Sequence, residues 1–598
     1  MGLMKQAYDT YCALEKKYAG QYFAEMKEPL VPVSHQIASA SIEVTLNAEG
    51  NFLSACLVDE AHASIIIPVT EKSAGRTGDT SCAHPLCDQV RFLTPQYPKK
   101  YEAYLMQLQA WRDSEHSHPK LHAIARYVEK GTILEDLQRF GLISLNEDGL
   151  PTNEKQIVCW RVESGAENGV PECWKDRTLF QAFIDYYASI NAQEKAYCMV
   201  SGEYVVNASQ HPKNIIAANG NAKLISAKDS CGFTYHGRFT DEKQALTVSY
   251  DASQKVHSAL RWLAANQGVH LGGRTFLCWN PHGIELPKSS APFMRKSAEI
   301  QTKYSDYQKA LFETLCGWQE RVPADESAVV AAFDAATSGR LSVTYYSELL
   351  ASDFLERLHN WDAVCCWWNY SFGIQSPSLY QIVNCAFGTL QTEKKKMLLK
   401  TDDKVMSKQI QCLLSCRIDK QKMPLYFARA AAARASNLQI LKDNALRENV
   451  LFTACAVLRK YYYDRDREEW TMALEQDKKD ISYQYGRLLA IFEKIERDTY
   501  DRDEGREPNA IRMQSMFTQR PLYTTRTIWE QLKKAYYPKL KPSSRAFYDR
   551  LIGTIIAEIC ECAGNEQESS LQDTYLFGYY LQRNELYKSN TSAKNQEE

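Results

Sequence analysis

The residue pattern predicts an α+β N-terminal domain followed by an all-α C-terminal half that ends in a four-helix bundle. Three features carry this. Short runs near the N-terminus alternate apolar and polar residues, the period of a half-buried strand. Beyond about Leu341 apolar residues recur every three or four positions, as on one face of a helix. After Trp470 four amphipathic stretches follow with short links, enough for a self-contained bundle. The chain has 598 residues, too many for one core at roughly 100–200 residues per domain. The expected divisions are 1–340, a mixed α/β domain; 341–470, a helical middle domain; and 471–598, a C-terminal helical bundle.

Taken in order, Ser41-Ile-Glu-Val-Thr-Leu46 alternates like a half-buried strand, and Phe52 to Val58 and Ser64 to Val69 read as two more. A turn-rich loop is expected from Thr70 to Asp88, punctuated by Gly75, Gly78 and Pro85. Helices are expected at Tyr101 to Trp111, Leu121 to Lys130 and Leu179 to Ile190, and a strand at Ile157 to Val162. Arg274-Thr-Phe-Leu-Cys-Trp279, ended by Asn-Pro, reads as a closing strand. Further on, Tyr345 to Trp368, Gln409 to Cys416, Tyr426 to Arg434 and Ala445 to Tyr463 carry helical spacing. The bundle is expected from Ile481 to Ile495, Thr525 to Ala535, Ser543 to Cys562 and Ser570 to Tyr587, with a frayed polar tail.

Composition excludes several classes. Hydrophobic residues make up 44% and charged residues 24%, ordinary for globular protein and unlike global disorder. No window approaches the roughly 18 consecutive apolar residues of a membrane helix. The opening residues lack an apolar signal core, so a cytoplasmic protein is expected. Most of the 18 cysteines then read as buried reduced thiols. Cys82-Ala-His-Pro-Leu-Cys87 is the best zinc half-site, but no second Cys/His pair follows at finger distance, and neither metal nor cofactor is expected. Net charge is −2, yet Glu393–Glu469 holds 17 Lys/Arg against 10 Asp/Glu, and Arg506–Arg550 holds 10 against 3. Two basic stretches against an acidic remainder favour a polyanion-binding surface over merely solvated helix faces.

No catalytic signature is present: no Walker A loop, no metal phosphohydrolase His-Asp pair, no Gly-x-Ser-x-Gly elbow. The acidic clusters Asp464-Arg-Asp-Arg-Glu-Glu469 and Asp498 to Glu507 are interleaved with arginines that would neutralise a metal site, so a binding protein is expected and a metal-dependent nuclease is the rival. A helical nucleic-acid-binding scaffold that reads no sequence is a further alternative.

Several segments come in a fixed order: Cys198-Met-Val-Ser-Gly-Glu203, His211-Pro-Lys213, Asn219-Gly-Asn-Ala with Leu224-Ile-Ser226, and Phe233-Thr-Tyr-His-Gly-Arg238. Ala259-Leu-Arg-Trp-Leu263, Phe276-Leu-Cys-Trp279, Arg417-Ile-Asp419 with Pro424, and Ala433-Arg-Ala-Ser436 continue the series. Gly486-Arg-Leu-Leu-Ala-Ile-Phe-Glu493 and Tyr575-Leu-Phe-Gly-Tyr-Tyr-Leu-Gln-Arg583 complete it, the last being the most diagnostic. This succession resembles the large subunits of type I-C CRISPR Cascade to about Tyr587. The chain departs from that pattern at Gln244-Ala-Leu-Thr-Val-Ser249 and in the loop Glu71–Thr80.

The resemblance implies a large subunit that joins a crRNA-bound backbone complex and its guide 5′-end subunits, beside separate small subunits. It implies recognition of the protospacer-adjacent motif on duplex DNA, promotion of unwinding and R-loop formation with crRNA, and stabilisation of the displaced strand. Transient recruitment of a helicase-nuclease in antiviral defence is implied too, with no membrane contact. The family's C-terminal domain is also made separately from an internal start, and Met472, just before the expected bundle, suits one.

In RNA-guided effectors base pairing reads the target while protein reads a short flanking motif and the backbone. A loop with a few donors suits that task. In Glu71–Thr80, Gly75 and Gly78 allow close approach, Arg76 offers a planar donor fork, Lys72 a mobile charge, and Ser73 and Thr77 hydroxyls. A second DNA-contact loop is expected from His211, Lys213, Asn214, Asn219, Asn221, Lys223 and Lys228, whose amides suit minor-groove acceptors; turn residues satisfying their own backbone are the plain alternative. His236 and Arg238 flank Gly237 within reach of phosphate. Near the C-terminus, Arg512, Arg520, Arg526, Lys533, Lys534, Lys539 and Lys541 are expected to hold the displaced single strand by its phosphates.

Overall fold

Alternation in the first fifty residues builds the long strand around which the N-terminal sheet forms. The computed structural model describes residues 2–594 except 77, 164–168, 192–193, 217–219, 226–238, 240–245, 295–299, 338, 395, 502–504 and 564–568. They fall into two compact units, Met1–Glu285 with Val329–Glu348, and Leu286–Ala328 with Leu349–Glu598.

In the first unit, helix α1 (Leu3–Tyr18) precedes β1 (His35–Asn47), β2 (Phe52–Leu57) and β3 (Ser64–Pro68). After α2 (Pro98–Arg112) and α3 (Pro119–Glu129), each opened by the proline that suits a first helical turn, comes β4 (Ile157–Glu163). β1 pairs antiparallel with β2 and β3 and parallel with β4, in the register Val44↔Ala55 and Val44↔Trp160. The inward side chains Ile42, Val44 and Leu46 are fully buried. Trp160 and Tyr104 reach the same carbonyl, that of Leu86, at 2.9 and 2.6 Å, so the polar tips of both core aromatics are satisfied. Helix α4 (Arg177–Ile190), the small hairpin β5 (Lys195–Tyr197) and β6 (Tyr204–Val206), and α5 (Tyr250–Gln267) follow. Ser249 caps α5 by accepting from the Ala252 amide at 3.1 Å. The second sheet has the order β10-β9-β8-β7, from β7 (Val269–Leu271), β8 (Arg274–Trp279), β9 (Ser327–Thr337) and β10 (Arg340–Leu350).

The second unit is mostly helical: α6 (Tyr304–Gln319), α7 (Ala351–Val364), α8 (Leu379–Phe387), α9 (Asp403–Ile418), α10 (Leu425–Ala435) and α11 (Asn444–Asp466). Two hairpins interrupt it, β11 (Trp367–Asn369) with β12 (Gly373–Gln375), and β13 (Thr389–Glu393) with β14 (Lys396–Lys400). Apart from these hairpins the second half is helical, as the residue pattern predicts. The stretch Tyr345 to Trp368 is not one helix: its first residues extend β10, only Ala351–Val364 is helical, and Trp367 begins β11. The loop expected from Thr70 to Asp88 likewise holds one helical turn, Glu71–Ala74.

The four helices expected at the C-terminus are present as α12 (Ile481–Arg497), α13 (Pro521–Ala535), α14 (Pro542–Ala563) and α15 (Tyr575–Lys594). Asp480 caps α12 at the Tyr483 amide, 2.8 Å away. Residues 482–496 of α12 are buried on every side, with α13, α14 and α15 packed on it. Gly486 and Gly578 sit at the crossing of α12 and α15: a Cβ on either would fall under 3.0 Å from opposing backbone, including Tyr579 N at 2.8 Å and Tyr483 C at 2.8 Å.

Candidate nucleic-acid interface

The one-turn helix Glu71–Ala74 is closed by a capping box, in which Thr70 and Ser73 exchange bonds at 3.0 and 3.1 Å. Ser73 is therefore buried and used locally. The Glu71 carboxylate, also buried, accepts from Ser209 N at 2.9 Å, Ser209 Oγ at 2.8 Å and Gln210 N at 3.3 Å. Gly75 packs directly against the side-chain amide of Gln210, whose flexible end a Cβ would displace. These contacts bring the two loops expected to meet DNA side by side, an arrangement the sequence did not announce.

Arg76 points inward. Its guanidinium grips Asp88 at 2.8 and 2.5 Å, donates to Cys82 O at 3.0 Å and lies 4.7 Å over the Phe92 ring. Asp88 is fully buried and also receives the His84 and Gln89 amides. The donor fork expected to face DNA thus faces the protein. Lys72 is exposed, and Thr77 lies outside the described residues.

In the second loop His211 Nδ1 lies 2.8 Å from Ser253 Oγ, and its ring stacks on that of His257 at 6.1 Å. Burial, with the neighbouring His257 and Lys223, holds His211 down at about 3, so its imidazole is neutral near pH 7. Lys213 and Lys223 are half-buried and paired across a bridge; Asn214 takes a left-handed φ of 70°; Asn221 is exposed. Asn219, Lys228, His236 and Arg238 lie outside the described residues. An exposed edge-to-face pair, Tyr197 and Tyr204 at 5.1 Å, stands on the nearby β5–β6 hairpin.

In the second unit all seven expected cations, Arg512, Arg520, Arg526, Lys533, Lys534, Lys539 and Lys541, are exposed. None forms an ion pair with a described residue. Lys533 lies 5.0 Å over Trp529, whose ring stacks at 5.8 Å on Phe492 of the core. Tyr536 is buried, whereas Tyr523, on the same helix as Arg526, is 56% exposed. The sequence pointed only to the cations of this face; that Tyr523 is exposed and Tyr536 buried emerges from the packing.

The other basic stretch behaves differently. Arg417 and Asp362 pair at 2.9 Å with both side chains 1% exposed. Arg459 caps the carbonyls of Ala363, Val364 and Trp470, Arg434 reaches Gly388 O at 2.6 Å, and Arg447 grips Glu507. Much of that local charge surplus tethers core backbone. The most diagnostic C-terminal segment is also core: Tyr579 donates to the buried Glu493 at 2.5 Å, and Arg583 and Arg497 flank the same carboxylate, which they hold below its ordinary range against the cost of burial. Met472 lies in the link between α11 and α12. Of the zinc half-site, Cys87 is buried and Cys82 half-buried. Among the described residues no group of three or more His, Cys, Asp or Glu side chains could hold a metal ion, and no helix is long and apolar enough to cross a membrane.

Comparison with known families supplies the class: the chain is a CRISPR-associated protein. A family model described as CRISPR-associated protein (Cas_Csd1) matches residues 8–587, so the chain belongs to that family, the large subunits of type I-C Cascade. Such a subunit works within a Cascade complex with other CRISPR-associated subunits. No curated protein matches the chain.

Proposed function

We propose that this chain is the DNA-engaging large subunit of its complex and catalyses no step itself. It recognises the protospacer-adjacent motif on duplex DNA with the adjoining loops of the first unit, Lys72 and His211–Asn221 foremost. It promotes unwinding and R-loop formation with crRNA, holds the displaced strand on the α13 face, and helps recruit the helicase-nuclease. Docking to the guide 5′-end and small subunits belongs to the same reading.

The observation that supports it best is the set of seven exposed cations without described ion-pair partners, beside an exposed tyrosine. Cations bound to carboxylates would have to break those pairs to meet phosphate; these seven need not. Replacing Lys533 and Lys534 by Gln should weaken DNA binding evenly across sequences and flatten the salt slope by about two. If this double variant binds with unchanged slope, the displaced strand runs elsewhere. A scaffold that binds without reading sequence shares the cationic face, and differs in showing no dependence on the flanking triplet.

A further inference from the structure

Lys213, Lys223 and Arg340 stand abreast. Lys213 bridges Lys223 from one side and Arg340 bridges it from the other, so the three occupy one row of a small ladder. The row is pinned by backbone bonds, Lys223 N to Gly339 O at 3.2 Å and Leu341 N to Lys223 O at 2.9 Å. Bridged residues present their side chains on one face roughly 5 Å apart, and like charges placed so are destabilising. None of the three makes an ion pair with a described residue. His211 extends the group, braced by Ser253 Oγ at 2.8 Å and by the His257 ring. His257 is itself buried, donates from Nδ1 to Ser253 O at 2.7 Å, and leaves Nε2 without a hydrogen-bond partner. The carboxylate tied to this loop, Glu71, is turned onto the amides of Ser209 and Gln210.

We infer that Lys213, Lys223, Arg340 and His211 seat one phosphodiester group of a nucleic-acid backbone, with Ser253 and His257 positioning the imidazole. A row of cations with no described carboxylate between them is what a ligand anion would complete. The inference rests on the reading that the first unit engages nucleic acid, and it names the chemical group and adds Arg340 and His257.

The seat also couples binding to protons. Burial, and then Lys213 beside it, lowers the Lys223 pKa from its ordinary value. A bound phosphate reverses that shift, so binding takes up protons as pH rises toward the pKa of the free Lys223, and affinity falls in that direction. Arginine at this position would keep its charge and lose the effect.

The test uses the complete guide-loaded complex and two arms: binding of target duplex, and joining of this chain to the guide-loaded backbone without DNA. Each is measured against salt and from about pH 7 to about pH 9.5. Lys223→Gln and Arg340→Gln should each flatten the salt slope by about one in a single arm, which identifies the phosphate as the target's or the guide's. Lys223→Arg should keep the slope and lose the pH drift. Unchanged slopes for Lys223→Gln and Arg340→Gln in both arms overturn the seat. Preference for the flanking triplet, read in the same titrations, separates the two ideas: its absence in the wild type sinks motif reading, while the slopes still decide the seat.

Discussion

Gly486→Ala is a sharp test of how the C-terminal helices are held. On an exposed helix this exchange stabilises by up to about 1 kcal/mol, because alanine is the better helix former. Here the new methyl would be driven into the Tyr575 carbonyl and would lie 2.8 Å from Tyr579 N. These are backbone atoms, and no rotamer change relieves them. Helices α12 and α15 must part by roughly 1 Å, which forfeits a quarter to a half of the dispersion attraction between the atoms that separate. Overpacking of this kind costs about 1–3 kcal/mol, and the rigid backbone on both sides places this case at the upper end. After the helix-propensity gain, a net loss of about 2 kcal/mol is expected. Urea denaturation followed by tryptophan fluorescence reads it, since Trp470 packs 4.7 Å from Phe577 on α15. A variant as stable as the parent, or more so, would refute the close crossing.

Three further outcomes follow from the same geometry. Arg76→Ala should destabilise the first unit by about 3 kcal/mol or more, since it strands the fully buried Asp88; unchanged melting with lost triplet preference would instead put the guanidinium on DNA. His35, His84 and His257 are each held down at about 4 by burial. Between about pH 6.5 and that value the unfolded chain binds protons that the folded unit refuses, so stability is full above the window and falls with acidification, by up to about 1.4 kcal/mol per pH unit for each histidine. A urea midpoint that stays flat across this range would contradict their buried, neutral state. In the native gene context Met472→Leu should abolish a short product covering the C-terminal bundle, detectable by mass; persistence of that product would move the start elsewhere.

Strands of the first sheet were legible because burial alternates along β1 from Ala40 to Leu46, while β3 and β4 are short apolar runs buried on both faces. The bundle was legible because its apolar stripes repeat at helical spacing over long segments. What escaped was long-range. β10 is half-buried along most of its length and shows no alternation, so Tyr345 to Leu350 looked helical until paired across the sheet. Candidate residues divide the same way. The exposed cations of α13 were legible from composition, whereas the inward turn of Arg76 depends on Asp88, twelve positions on, and on the ring of Phe92. Charge counts also treated Arg417 and Lys533 alike, though one is locked to Asp362 in the core and the other stands in solvent. The row of Lys213, Lys223 and Arg340 joins positions more than a hundred residues apart, which no local pattern announces.

Motif recognition by this subunit is tested most directly by measuring duplex binding by the guide-loaded backbone, with and without this chain, on targets whose flanking triplet is randomised. Strong preference for particular triplets, appearing only when the chain is added and weakened by changes at Lys72 or Asn221, is the expected result. Equal improvement for every triplet would contradict it and leave the chain a sequence-blind clamp.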